Sequence, residues 1–239
     1  MIRLKKFTKH EKLARRKAQT SSSQSGFTII ESLVAIIVVT ILLVALAPVL
    51  ALATAARVQA RRIELATQAA KTYTDGVDAG SIFAPEHTVT INETSSNGSF
   101  QPQRENLKNA AVPTSLSANC PTNTYCSNTT TQSLYCVDID GDNICTQNSP
   151  ADLIVQGFRS VSPTVNQSKQ GYLLGVRVYR AYAFNDSNAL ATQSDRGGKR
   201  SVFVGTLGDY KAPLIEITTE ISTSETKFTD YCQRFGGCQ

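Results

Sequence analysis

Residues 25–31 of the chain read SGFTIIE, and they stand between a basic leader and a long apolar run. The first 26 residues hold eight lysines and arginines and a single acid, Glu11. After Glu31 no charged residue follows until Arg57. A carboxylate near the start of an otherwise uncharged apolar helix is costly in lipid and calls for a partner. The position of Glu31 therefore distinguishes this segment from an ordinary membrane anchor.

The apolar run from Phe27 to about Ala56 predicts a membrane-spanning helix, because about 20 apolar residues cross a bilayer. Beyond it, apolar residues continue at helical spacing, namely Leu65, Ala66, Ala69, Ala70, Tyr73 and Val77. Gly76 and Gly80 indicate the end of the helix. We therefore predict one helix from about 28 to 79, roughly 80 Å long at 1.5 Å per residue. Its second half is expected to lie against a globular domain.

The string GFTIIESLVAIIVV at residues 26–39 resembles the N-terminus of type IV prepilins and of the pseudopilins of type II secretion systems. The resemblance implies that a prepilin peptidase cuts between Gly26 and Phe27 and that the new amino terminus of Phe27 is methylated. It also implies that Glu31 pairs with this amine on a neighbouring subunit, and that Pro48 loosens the helix during assembly. The alternative for Glu31 is a carboxylate that reaches the lipid–water interface. The alternative for Pro48 is a harmless kink.

The resemblance divides the chain into a leader at 1–26, a transmembrane and assembly helix at 27–80 and a head at 81–239. The precursor is expected in the inner membrane as a single-pass protein with a periplasmic head, and the mature subunit in a pilus or pseudopilus at the cell surface. The implied partners are the prepilin peptidase, other pilin or pseudopilin subunits, the inner-membrane assembly platform and, before assembly, membrane lipid.

The implied function is that of a minor pilin or pseudopilin subunit. Its length and two-part layout look most like cyanobacterial members of this family, including those linked to polysaccharide secretion. The alternative is a tip-located, adhesin-like subunit that recognises a surface, a glycan or DNA. An uncut single-pass protein would leave both the Gly26–Phe27 junction and Glu31 unexplained. No enzyme is expected, because the mature chain offers no recognisable nucleophile or acid–base set.

The formal net charge of +5 reflects the leader. Without residues 1–26 the chain loses eight bases and one acid, which leaves 16 bases against 18 acids and a net charge of −2. A basic cytoplasmic leader follows the positive-inside rule and does not indicate nucleic acid as a partner. The basic tip with Arg196, Lys199 and Arg200 is expected to be a solvated hairpin loop, since no aromatic platform accompanies it.

The head is expected to form an antiparallel sheet with one face on the helix, which makes the fold class α+β. Residues 81–150 are rich in Asn, Thr, Ser, Pro and Gly and predict loops. Segments rich in β-branched and aromatic residues predict strands at His87–Asn92, Leu153–Val161, Tyr172–Phe184, Ser201–Leu207 and Leu214–Ile221.

Six cysteines follow the apolar run, at Cys120, Cys126, Cys136, Cys145, Cys232 and Cys238. An even number in an exported region indicates disulfides. Proximity favours the pairs 120–126, 136–145 and 232–238, while crossing between the first two loops stays open. Zinc is disfavoured, because no C-x2-C spacing occurs and the mature chain has one histidine, His87.

The segment 136–145, CVDIDGDNIC, is the one candidate ligand site. Asp138, Asp140 and Asp142 alternate as in the opening of a calcium loop. The glycine, however, stands at the fourth place rather than the sixth, and no glutamate closes the loop. This departure favours a tight acidic turn, for which Asp-Gly is a strong signal. Calcium is the alternative, and no other cofactor is expected.

Overall fold

The computed structural model describes residues 26, 28–91, 106–127, 132–161, 171–196 and 210–228. The chain divides into two compact units, Met1–Ala51 and Leu52–Gln239. The first contains the N-terminal part of a long helix, and the second contains the rest of that helix and a β-sheet. The fold class is α+β, as predicted.

The long helix α1 spans Ile29–Asp78, within one residue of the prediction at both ends. It stops at Gly80, whose φ of +72° lies in the left-handed region that glycine adopts at little cost. The Gly80 amide donates to the Val77 carbonyl at 3.2 Å, and the Ile82 amide donates to the Gly76 carbonyl at 2.9 Å. The last carbonyls of α1 are thus paired by a return of the chain that is common at helix C-termini.

Five strands within the described residues form one sheet, β1 to β5, at Thr88–Thr90, Leu134–Val137, Leu153–Val161, Tyr172–Arg180 and Ile215–Ile221. The long strands β3 and β4 lie side by side, and β5 pairs with the other edge of β4. The remaining edge of β3 is shared by two short strands. β2 pairs with its first half, and β1 pairs with its end.

The strands β3, β4 and β5 pair antiparallel, as predicted, and one edge strand adds a parallel pairing that makes the sheet mixed. β1 runs parallel to β3, with Thr88 opposite Arg159, while the other three pairings are antiparallel. Parallel neighbours need a long connection, and here residues 91–152 provide it. No local turn signal marks such a pairing in the sequence.

The predicted strand Tyr172–Phe184 is shorter in the structure. β4 ends at Arg180, and Ala181–Phe184 forms a short 3-10 helix. The Ala181 amide donates to the Asp152 carbonyl at 2.9 Å, which extends the β3–β4 ladder by one residue pair before the 3-10 helix. The predicted strand Ser201–Leu207 lies outside the described residues.

One face of the sheet packs against the last turns of α1. The buried helix residues are those at the predicted helical spacing: Ala66, Ala69, Ala70, Tyr73 and Val77. They belong to one core with alternate residues of the central strands, including Leu153, Val155, Leu174, Val176 and Val178. Small alanines bring the helix axis close to the sheet, and Tyr73 fills the space above Gly157. A Cβ at Gly157 would meet the Tyr73 hydroxyl and would stand 2.8 Å from Cζ of that ring.

Replacing Gly157 with alanine is expected to destabilise the head by about 1–3 kcal/mol, because the added methyl group overpacks the ring of Tyr73. Urea unfolding of the mature chain in detergent, followed by near-UV circular dichroism, measures this loss. Tyr73→Phe removes the hydroxyl that the methyl group meets, so the double variant should recover part of the stability. An equal loss in both backgrounds would refute the packing explanation.

The opposite face of the sheet is also buried, under segments that precede β3. Its centre is Arg177 on β4, whose side chain is fully buried. The guanidinium donates to the backbone carbonyls of Ala110, at 2.7 Å, and Lys108. Its Nε lies 3.2 Å from Oε1 of Glu216 on β5, and its Cζ lies 4.8 Å from the centre of the Phe158 ring. Arg177 therefore anchors the loop at 107–111 to the sheet with charge-assisted hydrogen bonds.

Candidate processing and assembly segment

The N-terminus of α1 is capped by Thr28. The Glu31 amide donates to the Thr28 side-chain oxygen at 3.3 Å and to its carbonyl at 3.0 Å, and the Ser32 amide donates to the same carbonyl at 3.1 Å. Thr28 and Glu31 stand in the T-x-x-E spacing of a capping box, which satisfies the free amides of a first helical turn. Sequence reasoning did not assign Thr28 a role, although this spacing was the available signal.

Glu31 is the one acid in the first turn of α1 and is solvent-exposed. The positive end of the helix dipole favours a carboxylate at this place. Within the described part of the chain, the Glu31 carboxylate forms no ion pair and no side-chain hydrogen bond. Its charge is thus available to a group outside this subunit or at residue 27.

The predicted cleavage junction is accessible on its described side. Gly26 is exposed, and a Cβ built there would contact nothing within 4 Å. Phe27, the predicted first residue of the mature chain and the predicted methylation site, lies outside the described residues. A larger residue at position 26 is therefore compatible with the fold of this chain, and its effect would fall on recognition by another protein.

The first part of α1 presents a large apolar surface. Every isoleucine, leucine and valine from Ile29 to Val58 is exposed, and the least exposed of them, Ile37, still shows 48% of its surface. The most apolar 18-residue window of the helix has a mean hydropathy of 3.1. By length and composition, α1 is the one described helix that could cross a membrane. So large an apolar surface requires lipid or other protein around it.

Pro48 lies inside α1 without ending it. Proline has no amide hydrogen, so the carbonyl four residues earlier, at Val44, loses its helical donor. The structure therefore places a local weak point of the hydrogen-bond ladder in the middle of the exposed apolar stretch.

Two disulfides close loops on the buried second face of the sheet, Cys120–Cys126 and Cys136–Cys145. These are the local pairings that proximity favoured. The Cys145 amide donates to the Cys120 carbonyl at 2.9 Å, which ties the two loops together. The third predicted pair, Cys232 with Cys238, lies outside the described residues.

The acidic turn at 138–143 has a different arrangement from the predicted one. Oxygens of Asp138 and Asp140 lie near a carboxylate oxygen of Asp152, all within 4.8 Å of one another. Asp142 is not part of this cluster, and its carboxylate accepts the Ile144 amide at 3.0 Å. The structure therefore brings Asp138 and Asp140 together with Asp152, which sequence reasoning missed, and the predicted calcium ligands stay a prediction.

The remaining candidates from the sequence are His87 and the basic tip. His87 is half-buried, and burial lowers its pKa, with the nearby Arg177 charge adding to the effect. Its ring lies 6.0 Å from that of Phe158, so it packs within the head. Lys199 and Arg200 of the basic tip lie outside the described residues.

A known family model matches the N-terminal segment of the chain. Residues 21–47 match the prokaryotic N-terminal methylation motif, a stretch that includes the predicted cleavage junction, Thr28 and Glu31. No curated protein and no solved structure matches the chain. The motif implies processing by prepilin peptidase and assembly with other pilin subunits, and together with the exposed apolar helix it is consistent with membrane anchoring. The chain carries the N-terminal signature of type IV prepilin-like proteins.

Proposed function

We propose that the chain is a minor pilin or pseudopilin subunit that is cut after Gly26 and enters a filament through α1. The observation that carries this proposal is the combination of the methylation motif with the exposed apolar surface between Ile29 and Val58. Before assembly, lipid covers this surface. After extraction from the membrane, the corresponding helices of neighbouring subunits cover it.

Glu31 sets the axial position of the subunit in the filament. Its carboxylate has no partner within the described residues, and it lies next to a stretch without any other charge up to Arg57. The free amine of Phe27 on an adjacent subunit would supply the opposite charge. Such a pair is strong in a low-dielectric filament core, where water does not screen it, and it offsets the cost of burying the carboxylate.

Pro48 lets the helix adapt when subunits pack. The unpaired Val44 carbonyl lowers the cost of locally opening the hydrogen-bond ladder, because one bond is already missing there. The opening would lie within the exposed apolar stretch, so it would alter the packing of α1 in the filament and leave the head unchanged.

The head acts through assembly and contacts, not through catalysis, and it is exported across the inner membrane. Disulfides persist in oxidising compartments, and the two loops closed by Cys120–Cys126 and Cys136–Cys145 suit the periplasm or the cell surface. The short leader with eight bases stays in the cytoplasm.

Photo-crosslinking tests the proposed role of α1. A benzoylphenylalanine placed at Ile41, which is 64% exposed, is expected to form adducts with other pilin-like subunits in living cells. The same variant in cells that lack the assembly platform is the control and should yield no such adducts. If Ile41 forms no adduct with any pilin-like subunit in assembling cells, the helix does not enter a filament and the proposal fails.

A further inference from the structure

The acidic turn and the start of β3 bring three carboxylates to one point. Asp138 and Asp140 belong to the turn that follows β2, and Asp152 immediately precedes β3. Each offers one oxygen, and these oxygens lie within 4.8 Å of one another. Calcium binds carboxylate oxygens at about 2.3–2.6 Å, so ligands on opposite sides of one ion are roughly 5 Å apart. The separation therefore fits oxygens that share a single calcium ion.

Asp152 is the member of this cluster that requires an explanation. Its residue is fully buried, and its Oδ1 accepts the Ile139 amide at 3.2 Å. Its Oδ2 is buried without a hydrogen-bond partner among the described residues. A buried carboxylate oxygen without a partner lowers the stability of the folded state, because no interaction replaces its lost hydration.

No cation among the described residues forms an ion pair with the cluster. The ion pairs formed within the described residues are those of Arg177 with Glu216 and of Lys211 with Asp186, and none involves Asp138, Asp140 or Asp152. Burial raises the pKa of Asp152, and the neighbouring Asp140 carboxylate adds to this rise against the opposing hydrogen bonds. Amides of the turn, that of Gly141 first, lower the pKa of Asp138.

The turn holds its carboxylates in place through its own hydrogen bonds. Asp138 accepts the amides of Gly141, at 2.7 Å, and Asn143, at 2.8 Å. Both donors have positive φ values, +85° and +68°, which fold the turn back on Asp138. Asp140 accepts the Ser149 hydroxyl at 2.8 Å. Each of these oxygens keeps a second lone pair for a cation.

We propose that Asp138, Asp140 and Asp152 bind a calcium ion that joins the acidic turn to the base of β3. The buried, unpartnered oxygen of Asp152 is the observation that raises this cluster above an ordinary acidic turn. The remaining oxygens of a six- to eight-coordinate calcium site would come from water and nearby polar groups. The site does not depend on cleavage or filament assembly, so its test is independent of the proposed function.

Calorimetric titration with calcium chloride tests the site on the mature chain in detergent, after removal of metal with a chelator. The wild-type protein is expected to bind one calcium ion per chain within the range up to about 10 mM, as weak extracellular sites do. Binding should also raise the midpoint of thermal unfolding, because the ion favours the folded state.

Three variants assign the ligands. Asp152→Asn keeps the shape of the side chain and is expected to weaken calcium binding at least about tenfold, since an anionic ligand is lost. Asp140→Asn, at an exposed position, should weaken binding similarly even if Asp152→Asn folds poorly. Asp142→Asn is the matched control in the same turn and should bind within about twofold of wild type, because the Asp142 carboxylate lies outside the cluster of three.

Two results would overturn the proposal. The first is a wild-type chain that takes up no calcium, in which case a protonated Asp152 accounts for the buried oxygen. The second is calcium binding that depends on Asp142 but not on Asp140 or Asp152, which would place the calcium site within the turn alone.

Discussion

Replacing Glu31 with glutamine is expected to leave cleavage intact and to lower incorporation into filaments by at least about tenfold. Glutamine keeps the size of the side chain and the capped first turn, whose hydrogen bonds to Thr28 come from the backbone. The substitution removes the negative charge of Glu31, which we propose pairs with the amine of Phe27 on an adjacent subunit. Loss of one partner of a buried ion pair costs about 3–5 kcal/mol, and about 1.4 kcal/mol already corresponds to tenfold.

The measurement is the ratio of assembled to membrane-bound mature subunit, from sheared surface filaments or from crosslinked pseudopilus complexes. Glu64→Gln is the matched control, because Glu64 is an exposed acid on the same helix but beyond its apolar stretch. The control should assemble at the wild-type level. Normal assembly of the Glu31 variant would remove the ion pair from the mechanism and leave Glu31 as a residue of the helix cap.

Replacing Gly26 with valine is expected to abolish cleavage and to leave a precursor with all 239 residues in the membrane. The position is exposed and free of contacts, so valine is compatible with the fold of the chain itself. The loss would arise because a branched side chain next to the scissile bond obstructs entry into the peptidase.

Immunoblotting of membranes, with mass measurement of the purified product, reads out this effect. Thr40→Val is the control, because it places the same side chain in the exposed apolar part of α1 and should be cleaved normally. Efficient cleavage of the Gly26 variant at the same bond would show that the peptidase does not read this residue.

Much of α1 could be predicted, because its signals are local. The 3.6-residue spacing of Ala66, Ala70, Tyr73 and Val77 depends only on the geometry of a helix, and the structure buries these residues. The stop near Gly80 follows equally from the left-handed conformation that glycine allows. The cap at Thr28 was predictable for the same reason, from its spacing to Glu31, but was not used.

The topology of the head could not be predicted in the same way. β1 and β3 are neighbours although more than 60 residues separate them, and nothing at Thr88–Thr90 specifies that partner. Alternation along β4 is enough to separate Val176 and Val178 from Arg177, because successive side chains of a strand point to opposite faces. It could not show that backbone carbonyls of the loop at 107–111 would cover Arg177 and satisfy its donors.

The acidic turn illustrates the same limit at a site. The sequence indicated Asp138, Asp140 and Asp142, because these three carboxylates alternate within five residues. The third carboxylate of the cluster, Asp152, is brought in by the pairing of β2 with β3 and by the return of the chain between them. A cluster that is completed by tertiary structure leaves no spacing in the sequence from which it could be predicted.

Intact-mass analysis of the protein from native membranes decides whether the chain matures by the prepilin pathway. We expect a mass that begins at Phe27, increased by one methyl group and reduced by six hydrogens for three disulfides. A mass that begins at Met1, without the methyl group, would contradict it and would identify the chain as an ordinary membrane-anchored protein.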